Sequence, residues 1–111
     1  MAFTKAVFLG AVTLKNANTT TGSDRYYVSS TGQTIFKGAV TIDNATSGMV
    51  FGNTSGTLTL DSTASLSFTS GFTGNITIKG VTQVGSSAQN FTFPSASSKL
   101  ILGPGNTFNG P

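Results

Sequence analysis

Apolar and polar residues alternate in four short segments of the chain that share one pattern. The pattern runs glycine, any residue, an aliphatic residue, threonine, a second aliphatic residue, and then aspartate or lysine. An alternation with a period of two places the aliphatic residues on one face of a β-strand and the threonine on the other. The copies are GAVTLK at 10–15, GAVTID at 38–43, GTLTLD at 56–61 and GNITIK at 74–79.

The last three copies begin at positions 38, 56 and 74 and are evenly spaced, whereas the first begins at position 10 and is further from the second. If each evenly spaced unit forms one layer of a stack, equivalent residues lie above one another. The spacing therefore predicts two buried columns and one outward ladder. The columns are Val40, Leu58 and Ile76, and Ile42, Leu60 and Ile78. The ladder is Thr41, Thr59 and Thr77.

The predicted fold class is all-β with short strands, because no segment keeps helical spacing over three turns and helix-favouring residues are scarce. Agreement among three copies favours a short β-solenoid with rungs of about 18 residues. The irregular first spacing and the loss of the pattern after Lys79 favour a β-sandwich or barrel with antiparallel strands, and a jelly-roll or a trimeric β-fibre module is a further alternative. We expect residues 1–15 to form an N-terminal strand or arm and residues 16–111 to form a single β-rich repeat domain.

The amino-acid composition excludes most of the side chains that enzymes use in catalysis. Thr, Ser, Gly and Asn account for 55 of the 111 residues, and the chain has no His, Cys, Trp or Glu. It therefore lacks a thiolate nucleophile, an imidazole base and a soft-metal site. Its carboxylates are the isolated Asp24, Asp43 and Asp61. We predict a protein that is not an enzyme and has no catalytic residue, no cofactor and no metal site.

The charge is low and dispersed. Charged residues make up 8% of the chain, against roughly 25% in ordinary soluble domains. The net charge is +3, but the six cations are spread from Lys5 to Lys99 and form no patch for nucleic acid. Surfaces made of Ser, Thr, Asn and Gly are typical of fibres, shells and surface adhesins. We expect an extracellular or virion location.

The N-terminal apolar run, residues 6–12, is too short to cross a membrane and is followed by no small-residue cleavage site. It predicts a first β-strand. We therefore expect no signal peptide here and no membrane insertion.

The segments GAVTID, GTLTLD and GNITIK, separated by Asn, Thr and Gly turns, resemble the repetitive β-rich stretches of phage tail fibres and of autotransporter-type adhesin passengers. The resemblance spans residues 38–79. It implies a structural or adhesive role in monomeric or trimeric fibres, with no cofactor, and it supplies no catalytic residue.

A short stack of strands leaves edges that few charges protect, so we predict self-association as a homo-oligomer, a trimer or a filament. The segment 3–14 is the candidate contact, because it is apolar where a terminus would normally fray. Alternatively, this segment pairs within its own domain as an edge strand. The predicted contact residues are Phe3, Val7, Phe8 and Leu9.

Three functions remain open. The first is a non-catalytic structural protein that self-associates into an extracellular filament, a virion fibre or a capsid-decorating assembly. The second is a receptor- or carbohydrate-binding adhesin module, with Tyr26 and Tyr27 beside Arg25 as a platform for a surface glycan. Ice binding is the third and least favoured function. A flat ice-binding array needs a Thr-x-Thr strand in every repeat, and among the repeats only Thr57 and Thr59 form such a pair. Asp43 and Asp61 occupy equivalent places in the repeat, but Lys79 follows them there, so we predict solvated turn residues and not a shared cation.

Overall fold

The computed structural model describes residues 5–16, 33–44, 49–52, 57–61, 63–69, 74–91 and 98–110. Of these residues 53% lie in β-strands and none in a helix, which confirms the predicted all-β class. The strands are β1 (Ala6–Phe8), β2 (Val12–Asn16), β3 (Gln33–Phe36), β4 (Val40–Asn44), β5 (Met49–Phe51), β6 (Thr57–Leu60), β7 (Leu66–Phe68), β8 (Asn75–Ile78), β9 (Val81–Gln83) and β10 (Lys99–Leu102).

The strands form three sheets, and every pairing among the described strands is parallel. Sheet A has the order β1-β3-β6-β9, sheet B the order β2-β4-β7, and sheet C the order β5-β8-β10. The parallel pairing differs from the antiparallel strands expected for a sandwich. Strand β1 and all but the last residue of β2 lie in the predicted N-terminal arm, and the two strands pair with β3 and β4 of the predicted repeat domain.

Alternate residues of each strand point to one shared apolar core, as a period of two requires. In sheet A one inward row contains one residue of each strand: Phe8, Phe36, Leu60 and Gln83. The rings of Phe8 and Phe36 are stacked with centroids 4.8 Å apart, and Phe36 lies 6.0 Å from Phe51 of sheet C. The core therefore joins the sheets through aromatic contacts.

The predicted columns are wrong, although all six of their residues are fully buried. Val40 lies in sheet B, Leu58 in sheet A and Ile76 in sheet C, and Ile42, Leu60 and Ile78 are divided in the same way. The register instead joins residues that are further apart along the chain, such as Leu58 with Val81 and Ala6 with Thr34. The shared pattern occurs where a strand begins, whichever sheet the strand belongs to. Its last three copies are evenly spaced along the chain but form strands of three different sheets, so they do not stack on one another.

The predicted threonine ladder is wrong for the same reason. Thr41, Thr59 and Thr77 lie in sheets B, A and C, and Thr59 is only 7% exposed. The register instead places Thr13, Thr41 and Ser67 in one hydroxyl row across sheet B. It places Thr59, Thr82 and Thr107 in another row across sheet A. Thr13 and Thr41 belong to the first and second copies of the pattern. The distance along the chain between these two copies, which differs from the even spacing of the others, therefore matches the pairing of β2 with β4.

Glycine permits the close approach of these two copies. A Cβ atom at Gly38 would lie 2.6 Å from the backbone carbon and oxygen of Gly10. The glycine that opens the second copy therefore allows the corner between β3 and β4 to lie directly against the corner between β1 and β2.

A buried hydroxyl in sheet A gives a test of this packing. Thr34 is fully buried between Ala6 and Leu58, and its Oγ1 has no hydrogen-bond partner. An unpaired buried hydroxyl costs about 1–3 kcal/mol, so Thr34→Val is expected to raise the free energy of unfolding by about 1 kcal/mol in urea denaturation. Thr13→Val, at an exposed position, is the control and should change it by less than about 0.5 kcal/mol. A destabilised Thr34→Val variant would contradict the assignment.

Candidate self-association surface

Strand β1 forms one boundary of sheet A. It pairs with β3 on one side, and no described residue pairs with its other side. Val7 points away from the core and is 55% exposed, and Leu9, which follows the strand, is 77% exposed. An unpaired strand edge beside exposed apolar side chains can accept a strand from another chain.

The four predicted contact residues do not share one environment. Val7 and Leu9 are exposed. Phe8 packs into its own core, stacked on Phe36, so its ring is committed within the chain. Phe3 lies outside the described residues, as do Arg25, Tyr26 and Tyr27 of the glycan-platform hypothesis.

Strand β9 is the last strand of sheet A, at the side opposite to β1. Residues 106–109 form hydrogen bonds with its outer edge. The Thr107 N–H donates to the Val81 carbonyl and the Gln83 N–H donates to the Thr107 carbonyl, both at 2.8 Å. The Val81 N–H donates to Asn106 Oδ1 at 3.1 Å, and Asn109 Nδ2 donates to the Gln83 carbonyl at 2.6 Å. The N–H and carbonyl groups of Val81 and Gln83, which β9 presents on this side, are therefore all four satisfied within the chain.

The side chain of Gln83 holds this closing segment in place. It is fully buried in β9, in the inward row of sheet A that contains Phe36 and Leu60. Its Oε1 accepts hydrogen bonds from the backbone N–H groups of Asn109 and Gly110 at 3.1 and 3.2 Å, and its Nε2 donates to the Ser87 carbonyl at 2.6 Å. A buried amide needs such partners. Gln83 was not predicted from the sequence, although its polar side chain interrupts the aliphatic alternation of VTQV at 81–84.

A second amide completes the edge of sheet B. Gln89 Oε1 accepts from the Leu66 N–H at 2.8 Å, and Gln89 Nε2 donates to the Ala64 carbonyl at 3.2 Å. These are the two bonds that one residue of a further parallel strand would make. The amide thereby replaces strand pairing beyond β7.

The described carboxylates are engaged by lysines. Asp43 Oδ2 lies 3.4 Å from Lys15 Nζ, its partner across β2 and β4, and Asp43 Oδ1 accepts from Thr69 Oγ1 at 2.9 Å. Asp61 Oδ2 lies 3.4 Å from Lys37 Nζ. The expectation that the two aspartates occupy equivalent positions is wrong, because Asp43 belongs to sheet B and Asp61 follows β6 of sheet A.

The hydroxyl row of sheet B has charged neighbours, since Lys15 and Asp43 occupy the adjoining outward positions. The described residues include no group of three or more His, Cys, Asp or Glu side chains that could hold a metal ion. They also include no helix long and apolar enough to cross a membrane.

No protein-family model, curated protein or solved structure matches this chain.

Proposed function

We propose that this chain is a non-catalytic structural protein that binds further copies of itself through strand β1, in an extracellular or virion assembly. The observation that carries the proposal is the outer edge of β1, where Val7 and Leu9 expose 55% and 77% of their surface. The low charge of the chain supports it, because charged side chains are the usual protection of strand edges.

We further propose that the fold is a short β-solenoid whose faces are the three sheets and whose rungs run from a residue to its parallel partner, as from Ala6 to Thr34 or from Leu58 to Val81. The support is the order in which the chain visits the sheets: β3, β4 and β5 lie in sheets A, B and C, and β6, β7 and β8 repeat that order. Strands β1 and β2 start one such rung, and β9 and β10 belong to another. A solenoid presents an open strand edge at each end unless a terminal segment covers it.

The energy of the contact limits its strength. Full burial of Val or Leu contributes about 1.5–3 kcal/mol, so covering the exposed parts of Val7 and Leu9 contributes about 2–4 kcal/mol. Lost translational and rotational freedom costs at least about 4 kcal/mol. Backbone hydrogen bonds along β1 must supply the remaining free energy. Because the net binding free energy is then small, we expect weak association that appears only at high protein concentration.

A charge at the β1 edge tests the proposal. Val7→Lys is expected to reduce self-association at least tenfold in sedimentation velocity, leaving the 11.3 kDa monomer as the main species. Ile101→Lys is the matched control, because Ile101 is 49% exposed but lies on β10 of sheet C. The proposal is wrong if the wild-type chain is monomeric at every concentration up to about 1 mM, a Kd that corresponds to only about −4 kcal/mol of binding free energy. It is also wrong if both variants associate as the wild type does.

A further inference from the structure

The segment 106–108 occupies the position in sheet A that follows β9. Thr82 pairs in parallel with Thr107, and Thr82 itself belongs to the row that starts at Val7 and continues through Ile35 and Thr59. Thr107 thus occupies the fifth place of a row whose first place is Val7. By the same register, Phe108 occupies the fifth place of the row that starts at Phe8.

The two segments also resemble each other chemically. Residues 6–8 are Ala-Val-Phe, and residues 106–108 are Asn-Thr-Phe. Both phenylalanines are partly buried and pack against the core. Val7 replaces the hydroxyl of Thr107 by a methyl group, so β1 has the same shape and more apolar surface to bury at this position.

The backbone bonds are equivalent as well. Thr107 uses both its N–H and its carbonyl on β9, accepting from Gln83 and donating to Val81. In β1 the carbonyl of Phe8 accepts a hydrogen bond from the N–H of Lys37, next to β3. Successive residues of a strand direct their N–H and carbonyl groups to opposite sides, so those of Val7 point to the outer edge of β1. Val7 of a second copy therefore presents the same two groups to β9 that Thr107 does.

We propose that residues 106–110 are an autoinhibitory cap, which holds the β9 edge against β1 of a second copy. When the cap is released, β1 of the next molecule pairs with β9, and copies add head to tail. This inference rests on the proposed function, because it takes β1 as the contact strand and names its acceptor. The apparent affinity for a second copy is the intrinsic affinity multiplied by the fraction of molecules whose cap is open.

The cap is opened most directly by Thr107→Pro, because proline removes the N–H that bonds to Val81 and leaves β1 and β9 unchanged. Thr107→Val, which keeps the N–H, is the matched control. We expect Thr107→Pro to form larger species at a concentration at least tenfold lower than the wild type, seen as filaments by negative-stain microscopy. Adding Val7→Lys to Thr107→Pro should abolish these species.

Hydrogen exchange at the Gln83 N–H reports the cap itself, since its acceptor is the Thr107 carbonyl. In dilute Thr107→Pro this exchange should accelerate at least tenfold. The double variant Asn106→Ala/Asn109→Ala removes the side-chain bonds of the cap, and it should show the same two effects if Thr107→Pro does not fold. Failure of both variants to fold would make the segment an essential part of the core and would overturn the proposal.

Two results separate the cap from the proposed function. If Val7→Lys weakens association of the wild-type chain but opening the cap does not strengthen it, β1 is the contact and β9 is not its acceptor, so the cap proposal fails alone. If opened variants assemble but Val7→Lys has no effect on them, β1 is not the contact strand, and both proposals fail.

Discussion

Replacing Leu58 by alanine is expected to lower the free energy of unfolding by about 2–5 kcal/mol, the range measured for buried leucines. Leu58 is fully buried in β6, which has β3 on one side and β9 on the other. Strand pairing on both sides restrains the backbone, so the surroundings cannot collapse into the space that the side chain leaves. Urea denaturation followed by circular dichroism measures the loss.

The control for this variant is Leu9→Ala, which makes the same chemical change at a side chain that is 77% exposed. Its effect on the monomer should stay within about 0.5 kcal/mol. Equal losses at the two positions would contradict the assignment of Leu58 to the core.

Gly52→Ala is expected to destabilise the chain by about 2–5 kcal/mol in total. Gly52 follows β5 with a φ of 92°, in the left-handed region, which costs a residue with a side chain about 1–3 kcal/mol. A Cβ atom at this position would also collide with the carbonyl oxygen of Lys79. The Lys79 N–H bonds to the Phe51 carbonyl at 3.1 Å, so relieving the collision would disturb the pairing of β5 with β8.

Gly10→Ala provides the comparison, because a Cβ atom at Gly10 meets no atom within 4 Å. We expect this variant to unfold within about 1 kcal/mol of the wild type. The same denaturation measurement serves both glycines, and similar stability of Gly52→Ala and Gly10→Ala would show that the corner after β5 tolerates a side chain.

The candidate surface was only partly predictable. The apolar residues near the N-terminus predicted a contact segment, which stays a prediction, and the structure places Val7 and Leu9 of that segment at the surface. The burial of Phe8 was not predictable, because it depends on Phe36, which is distant along the chain and meets Phe8 only through the pairing of β1 with β3. The closing segment 106–110 was missed entirely, since its bonds to β9 join distant parts of the chain through backbone groups and amides that have no sequence signature.

Local alternation was enough to predict β-strands and to identify the buried side chains of the repeated pattern. Val40, Leu58 and Ile76 are all buried because the position of a residue on one or the other face of a strand depends only on its immediate neighbours. The partner of each strand depends on the path of the chain between strands. Val40 lies beside Val12 and Leu66, and Leu58 lies beside Thr34 and Val81. The evenly spaced copies form every second strand, β4, β6 and β8, whereas from β3 to β8 the chain returns to the same sheet only at every third strand. Backbone hydrogen bonds between strands form with nearly any side chain and do not distinguish similar strands. Which strands pair is therefore determined by the packing of the whole core.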